Sequence, residues 1–290
     1  MIRLVLSDMD GTLIPFGKKS PSPRTMRAIT QLEDAGVRFG LATGRDVGEL
    51  MQFFGSDDRA YRTGILSNGK KIMVDGELVR YTLIDPGALA RLSDFVQTFE
   101  GCFVTAVPLE TDGSEIYYCI TSSTQEAQES AETFKFKYVM SETIPDLPIV
   151  AATIACKQDQ DTLDYIKSEG ARLCPELDFL QPAPHWCDIL PRGLNKGTAL
   201  SMLLDELGIT SDEVVVLGDA ENDLALFGAV EHSVAVANAT PAAKAAAHWH
   251  IGKAEDDAVA AALEDIAESA MSGGVPAFMK REDNDASVCA

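Results

Sequence analysis

Positive charge is scarce in this sequence of 290 residues. Only 24 lysines and arginines stand against 45 aspartates and glutamates, for a net charge of −21 at neutral pH. Binding to nucleic acid through phosphate neutralisation needs a basic face, so no nucleic-acid partner is expected. No apolar run reaches the roughly 18 residues that a membrane span needs, so no membrane partner is expected either. The chain enters an apolar segment directly and carries an acid by position 8, which is not the pattern of a secretory signal. The cytoplasm is the expected compartment. None of the six cysteines (Cys102, Cys119, Cys156, Cys174, Cys187 and Cys289) belongs to a CxxC pair. They read as small buried hydrophobes in a reducing compartment. There is no P-loop, since "NKGT" places lysine before glycine, and no GxGxxG.

What is present is an ordinary globular composition, with 46% hydrophobic and 24% charged residues. The length suits one large domain or two. Four apolar runs read as buried strands: "IRLVLS", "VRFGLAT", "TGILSN" and "EVVVLGD". Between the first two lies a helical pattern from about Ser22 to Ala35, with Met26, Ile29 and Leu32 at helix spacing. Pro21 and Pro23 mark its start and Gly36 its end. Strand, helix, strand at this spacing is a βαβ unit with a parallel sheet. "NKGTALSMLLDELGI" is a second amphipathic helix, feeding "EVVVLGD". After it come "DLALFGAV", the strand "SVAVAN" and a helix opening at "TPAAKAAA".

The middle of the chain differs. From about Leu83 to Trp186 the pattern is helix ("DPGALARLSDFVQTF"), two strands ("CFVTAVPL", "EIYYCIT"), helix ("TQEAQESAETFKF") and strand ("IVAATIACK"). A helix ("DQDTLDYIKSEGA") and a strand pair near "DFLQPAPHWCDIL" complete it. This suits an α+β layer with an antiparallel sheet. The expected fold class is therefore α/β, a doubly wound parallel-sheet, Rossmann-like core with an inserted α+β domain. The boundaries are 1–83 and 187–290 for the core and 84–186 for the insert. The polar tail from Gly273 onward is expected to be mobile.

In a doubly wound sheet, ligands bind beyond the carboxyl ends of the strands. The unusual charges fall there. Asp8 and Asp10 follow the first strand, and Thr43, Gly44 and Arg45 the second. Gly218 and Asp219 follow "VVVL", with Asn222 and Asp223 one turn later, and Lys196 opens the preceding helix. Taken singly, each has a plain alternative. "DMDGT" can be a turn with capping aspartates. "ATGR" can be a threonine cap with a turn glycine. Lys196 can be a solvated lysine, and "GDAENDLAL" can be an acidic first helical turn on the dipole. A calcium loop fits poorly, because its twelfth position is Lys19 where a bidentate glutamate is required.

Together and in this order, the four segments resemble the motifs of haloacid dehalogenase-type phosphotransferases. "DMDGTL" is similar to motif one, "LATGR" to motif two, Lys196 to motif three and "GDAENDLAL" to motif four. The insert between motifs two and three resembles the family's type-two cap. "SNGK", "GLNKGTAL" and "GDAENDLAL" look most like the Cof-type sugar phosphatases. The chain departs mildly in carrying Ala220 and Asp188 where many relatives differ.

The resemblance implies a Mg²⁺-dependent phosphomonoester hydrolase for a small phosphorylated metabolite such as a sugar phosphate. Asp8 would be the nucleophile, forming an aspartyl-phosphate, and Asp10 the general acid and base. In extended chain, residues i and i+2 face one side, so the two carboxyl groups would converge. Like charges so close need a counter-ion, which a hard divalent cation supplies. The implied metal ligands are Asp8, the Asp10 backbone carbonyl and Asp219, with Asp223 holding a metal-bound water or orienting Lys196. The implied phosphate contacts are Thr43, Lys196, Asn222 and the backbone N–H groups of Met9 and Gly44. Asn68 and Lys70 stand either at a cap interface or in a simple turn. His185 and Trp186 read as packing or hinge residues, and His232, His248 and His250 carry no assigned role. Two other functions stay open: a phosphomutase on the same core, and a non-catalytic metabolite sensor. The sequence does not fix an oligomeric state.

Overall fold

In chain order the strands are β1 (Leu4–Ser7), β2 (Arg38–Ala42), β3 (Gly64–Leu66), β4 (Lys71–Val74), β5 (Glu77–Tyr81), β6 (Cys102–Pro108) and β7 (Ile116–Ile120). They continue with β8 (Lys137–Ser141), β9 (Ile149–Cys156), β10 (Leu177–Ala183), β11 (Trp186–Pro191), β12 (Val214–Gly218), β13 (His232–Val236) and β14 (Trp249–Ile251). The helices are α1 (Pro23–Asp34), α2 (Val47–Phe54), α3 (Pro86–Val96), α4 (Thr124–Phe134), α5 (Gln160–Leu173), α6 (Lys196–Leu207), α7 (Leu224–Phe227), α8 (Pro241–Ala246) and α9 (Ala258–Ser272). The structure is a computed structural model and describes residues 1–109, 116–134 and 137–280. Among these, no helix is long and apolar enough to cross a membrane.

The chain divides into two compact units, Met1–Val79 with Lys196–Ala290, and Arg80–Asn195. The first unit is built on an eight-stranded sheet of order β14-β13-β12-β1-β2-β3-β4-β5. β1 runs parallel to both neighbours, β12 and β2. From β1 the chain steps outward through β2 and β3. From β12 it steps the other way through β13 and β14. The boundary between β1 and β12 is thus the point where strand order reverses, where ligands gather in such sheets. β1 and β12 are buried at every residue, as uninterrupted apolar runs in a parallel sheet must be.

α1 shows how local sequence sets this layer. The Ser22 side chain accepts from the Thr25 N–H at 3.0 Å, and Pro23 pre-sets the first turn. Ala28, Ile29 and Leu32 form its fully buried stripe, each large apolar side chain contributing about 1.5–3 kcal/mol. α1 packs on α9, a helix whose alanine-rich pattern gives little periodic contrast and does not stand out in the sequence.

The second unit carries a six-stranded sheet of order β10-β11-β9-β6-β7-β8. Its pairs are antiparallel except β7 with β8, which is parallel. α3 and α5 bury Leu89, Leu92, Leu163 and Ile166 in its core. The chain stays in this unit longer than its sequence suggests. The expected return at residue 187 gives way to one at Lys196, because β11 pairs with β9 and β10 before the chain leaves. The tail differs too. A 3₁₀ turn at Ala277–Met279 buries Met279 against the first core, so the segment is ordered through Lys280. Residues 110–115, 135–136 (the end of the expected helix "TQEAQESAETFKF") and 281–290, with Cys289, lie outside the described residues.

Candidate active site

Five loops leave the carboxyl ends of adjacent parallel strands in the first unit. The loop after β1 begins at Asp8, whose N–H donates to the Leu217 carbonyl at 2.8 Å. It folds back at once: Leu13 N–H donates to the Asp8 carbonyl, and Ile14 N–H to the Met9 carbonyl at 2.8 Å. Gly11 takes φ +84°, and a Cβ there would stand 2.6 Å from an Asp219 carboxylate oxygen. Glycine is therefore required both by backbone and by space. Because β1 ends at Ser7, the alternation of an extended strand does not run on to Asp10.

The chain places the Lys196 ammonium between two carboxylates. Its Nζ donates to Asp8 Oδ1 and to Asp223 Oδ1, both at 2.6 Å. Lys196 is 1% exposed and Asp223 fully buried. The other Asp223 oxygen accepts from the Asp219 and Ala220 N–H groups at 3.0 and 3.3 Å. Asp223 is thus occupied in aiming Lys196 and bracing the turn. The Asp219 carboxylate accepts from the Thr12 hydroxyl at 2.9 Å.

Asp8, Asp219 and Asp223 offer carboxylate oxygens that all lie within 4.8 Å of one another. Three buried carboxylates face a single ammonium, an excess of two negative charges. Burial raises Asp8 above the ordinary 3.8, against the pull of Lys196. Burial likewise raises Asp219 to about 6, with Thr12 opposing. Burial alone would lower Lys196, but Asp223 and Asp8 together push it above its ordinary value. An excess of hard, buried oxygen donors fits a divalent cation such as Mg²⁺.

Asp10 takes a different partner. Arg45 grips both of its oxygens, Nε to Oδ2 at 2.8 Å and Nη2 to Oδ1 at 3.0 Å. Arg45 also reaches Glu49 at 3.2 Å and lies 4.6 Å over the Phe53 ring. The Asp10 carboxylate is thus held by Arg45, yet stays near enough to Asp219 to help raise it. Thr43 is buried at the end of β2, its hydroxyl accepting from the Arg45 N–H at 3.2 Å. Gly44 follows it, exposed. Asn222 sits in the 3₁₀ turn that ends at Asp223. The loop after β3 brings Ser67 and Asn68 in with positive φ, and a Cβ on Gly44 would stand 3.1 Å from the Asn68 amide. Asn68 and Lys70 are both buried there. His248 and His250 are hydrogen-bonded to Ser233 and to the Lys244 carbonyl.

Three contributors had been given no role from sequence. Thr12 fixes Asp219, Arg45 fixes Asp10, and Asn238 after β13 ties the loops together. The Asn238 amide donates to the Gly11 carbonyl at 2.7 Å and accepts from the Ala254 N–H at 2.9 Å. The available signal for Asn238 was position alone, a polar residue ending the apolar strand "SVAVAN".

A family model for haloacid dehalogenase-like hydrolases matches residues 5–263. The chain belongs to the haloacid dehalogenase-like hydrolase family. Within it, this hydrolase is of the Cof type, and it is a phosphatase. It is 29% identical over 251 residues to the HMP-PP phosphatase of Enterobacter sp. (strain 638), covering 83% of this chain and 86% of the relative. A crystal structure of a haloacid dehalogenase-like hydrolase from Bacteroides thetaiotaomicron superposes with a TM-score of 0.73 at 25% identity, over 92% of this chain and all of that one. A sugar phosphatase of the superfamily's subclass IIB shares the fold of this hydrolase, with a TM-score of 0.71 at 19% identity over 90% of this chain and 98% of that one.

Proposed function

We propose that this hydrolase is a Mg²⁺-dependent phosphomonoester hydrolase that works through an aspartyl-phosphate on Asp8. Its substrate is a small phosphorylated metabolite, a sugar phosphate. The first unit serves as the catalytic core and Arg80–Asn195 as the cap. The observation that carries the reading is Lys196 held at 2.6 Å between Asp8 and Asp223 beside Asp219. Relatives named for HMP-PP and for sugar phosphates support a small phosphorylated substrate.

In the first step an Asp8 oxygen attacks phosphorus, and the bond from phosphorus to the leaving oxygen breaks. Asp10 gives that oxygen its proton. In the second step Asp10 takes a proton from water, which attacks the aspartyl-phosphate and frees phosphate and Asp8. Both steps need one Asp10 oxygen to come away from Arg45. Lys196 neutralises charge on the phosphoryl oxygens, with Thr43, Asn222 and the N–H groups of Met9 and Gly44. Mg²⁺ would be held by Asp8, Asp219 and the Asp10 carbonyl, and when bound it supplies charge stabilisation to the phosphoryl group. Asp223 positions Lys196.

Assay of a panel of phosphorylated metabolites with Mg²⁺ tests the function. Phosphate release from a monophosphate without a bisphosphate activator separates hydrolase from mutase. No release from any of them, with Mg²⁺ present, contradicts the reading.

Metal binding should be visible without turnover. Asp8 and Asp219 have folded pKa values raised from 3.8 to about 7 and about 6. The metal-free fold therefore loses stability as pH rises through that window, where these buried groups must ionise with one ammonium shared among three carboxylates. Mg²⁺ needs the ionised forms, so the rise in Tm that Mg²⁺ produces should be larger at pH 8 than at pH 5. An equal rise at both values would remove these carboxylates from the metal site. Activity should vanish with chelator and return with Mg²⁺ but poorly with Ca²⁺, whose longer bonds and higher coordination number disturb the geometry.

The position of Asp223 can be probed from behind. A Cβ on Gly218 would stand 2.5 Å from Asp223 Oδ2. Gly218→Ala should displace Asp223 and with it Lys196, lowering kcat by about 10²-fold, as a misplacement near 1 Å does. Unchanged kcat would show that Asp223 has no positioning role.

A further inference from the structure

Two cysteines far from this chemistry in sequence, and in the other unit, stand in a geometry that burial alone does not require. Cys102 opens β6, Cys156 closes β9, and they are direct cross-strand partners. On the adjacent rung the Lys157 N–H donates to the Gly101 carbonyl at 3.0 Å. Rungs of an antiparallel ladder alternate, so the cysteine rung is a non-hydrogen-bonded pair, the kind whose Cα atoms approach to about 4.5 Å. That lies within the span of roughly 4.4–6.8 Å that a disulfide bridges. The two Sγ atoms are 2.9 Å apart, with the Cys102 thiol donating to Cys156, and both residues are free thiols. Among the described residues no other two cysteines meet this way.

His185 completes the cluster. It is exposed, takes φ +66°, and its Nδ1 stands 3.0 Å from the Cys156 carbonyl and 3.1 Å from the Gln158 carbonyl. Its own carbonyl accepts from the Cys156 N–H at 2.9 Å. The hydrogen bond from Cys102 draws the Cys156 thiol down to about 7, with burial opposing and His185 assisting. The same bond, followed by burial, pushes Cys102 up. One sulfur is thus prepared as thiolate and the other as its proton donor.

We infer that Cys102 and Cys156 are a reversible oxidation site, closed into an intrachain disulfide by hydrogen peroxide. The Cys156 thiolate attacks a peroxide oxygen. The S–O bond forms, the O–O bond breaks, and the departing hydroxide takes a proton to become water. The Cys102 sulfur then attacks the Cys156 sulfenic sulfur. The S–S bond forms, the S–O bond breaks, and hydroxide leaves with the Cys102 proton as a second water. The two thiols lose two electrons, and the peroxide gains them.

The test treats the full-length protein with hydrogen peroxide, quenches, unfolds, alkylates and maps disulfides by mass spectrometry. Two of the six thiols should be lost to alkylation, in a single peptide pair joining Cys102 to Cys156, and dithiothreitol should restore both. Cys102→Ser should give no cross-link and leave a Cys156 sulfenic acid that dimedone captures, while Cys119→Ser should cross-link like the wild type. Six alkylatable thiols after peroxide, a bridge between other cysteines, or wild-type oxidation that stops at Cys156 would each overturn the inference. The wild-type map decides the matter even if a serine variant fails to fold.

Discussion

Asp8→Asn is expected to remain folded and to lose turnover by about 10⁴-fold or more, the scale on which removing a nucleophile acts. An amide nitrogen and its carbonyl oxygen are poor nucleophiles, so the first bond to phosphorus does not form. The fold should tolerate the change for an electrostatic reason. Asp8, Asp219 and Asp223 crowd one ammonium, and Asp8 already resists ionisation. Removing its charge relieves the metal-free pocket, while Lys196 keeps Asp223 as its partner. The Tm of the metal-free variant at pH 8 should therefore equal or exceed that of the wild type. Near wild-type turnover would end the covalent mechanism. An unfolded variant would show that Asp8 serves the fold first.

Lys196→Met should do the opposite to stability. The substitution keeps an unbranched side chain one atom shorter and removes the cation that, among the described residues, faces Asp8 and Asp223 at hydrogen-bond distance. Breaking a fully buried pair by deleting one partner typically costs about 3–5 kcal/mol, because the remaining charge is left uncompensated. The loss should be large in denaturant titration of the metal-free protein at pH 8. It should shrink toward pH 5, where Asp8 and Asp219, raised to about 7 and about 6, take up protons and need less counter-charge. Turnover should fall as well, since the phosphoryl oxygens lose a cation. A loss below about 1 kcal/mol at pH 8, the scale of an exposed pair, would mean that the pocket carries less charge than its geometry indicates.

The contrast between these two variants reflects what the sequence made legible. Asp8, Lys196, Asp219 and Asp223 were readable because each ends a strand or opens a helix of a recognisable βαβ pattern, and topology then fixes where those ends meet. The core strands were readable because a parallel strand buried on both faces is apolar throughout, as "VVVLG" is. Arg45 on Asp10 was not readable. Strand alternation says where Asp10 stands along the chain but not that the loop after β2 supplies it with Arg45. Asn238 escaped for a similar reason, since its two bonds join segments 227 and 16 residues away. β14, β8 and the β4–β5 hairpin are short or polar on one face, and α9 is rich in alanine, so none raises a periodic signal. The expected exit at residue 187 fell inside the strand pair near "DFLQPAPHWCDIL" that the sequence itself placed in the insert, since an apolar run does not mark where its strand ends. Only the pairing of β11 with β9 and β10 decides.

The central claim is that phosphate passes through a covalent bond to Asp8, and an Asp10→Asn variant offers the most direct test. Without its carboxylic acid the variant should lose about 10²–10⁴ in rate, the usual worth of general acid–base catalysis. An aryl phosphate with a good leaving group needs no protonation, so it should still phosphorylate Asp8. Dephosphorylation lacks its base and should be slow, so the intermediate accumulates. The variant is mixed with an aryl phosphate and Mg²⁺, quenched in acid within one turnover, and its mass and peptides are measured. The account predicts a protein heavier by one phosphoryl group, carried on the peptide that holds Asp8 and released by hydroxylamine. Aryl product formed in a burst with no phosphorylated protein, or a phosphoryl group on any other residue, would contradict it.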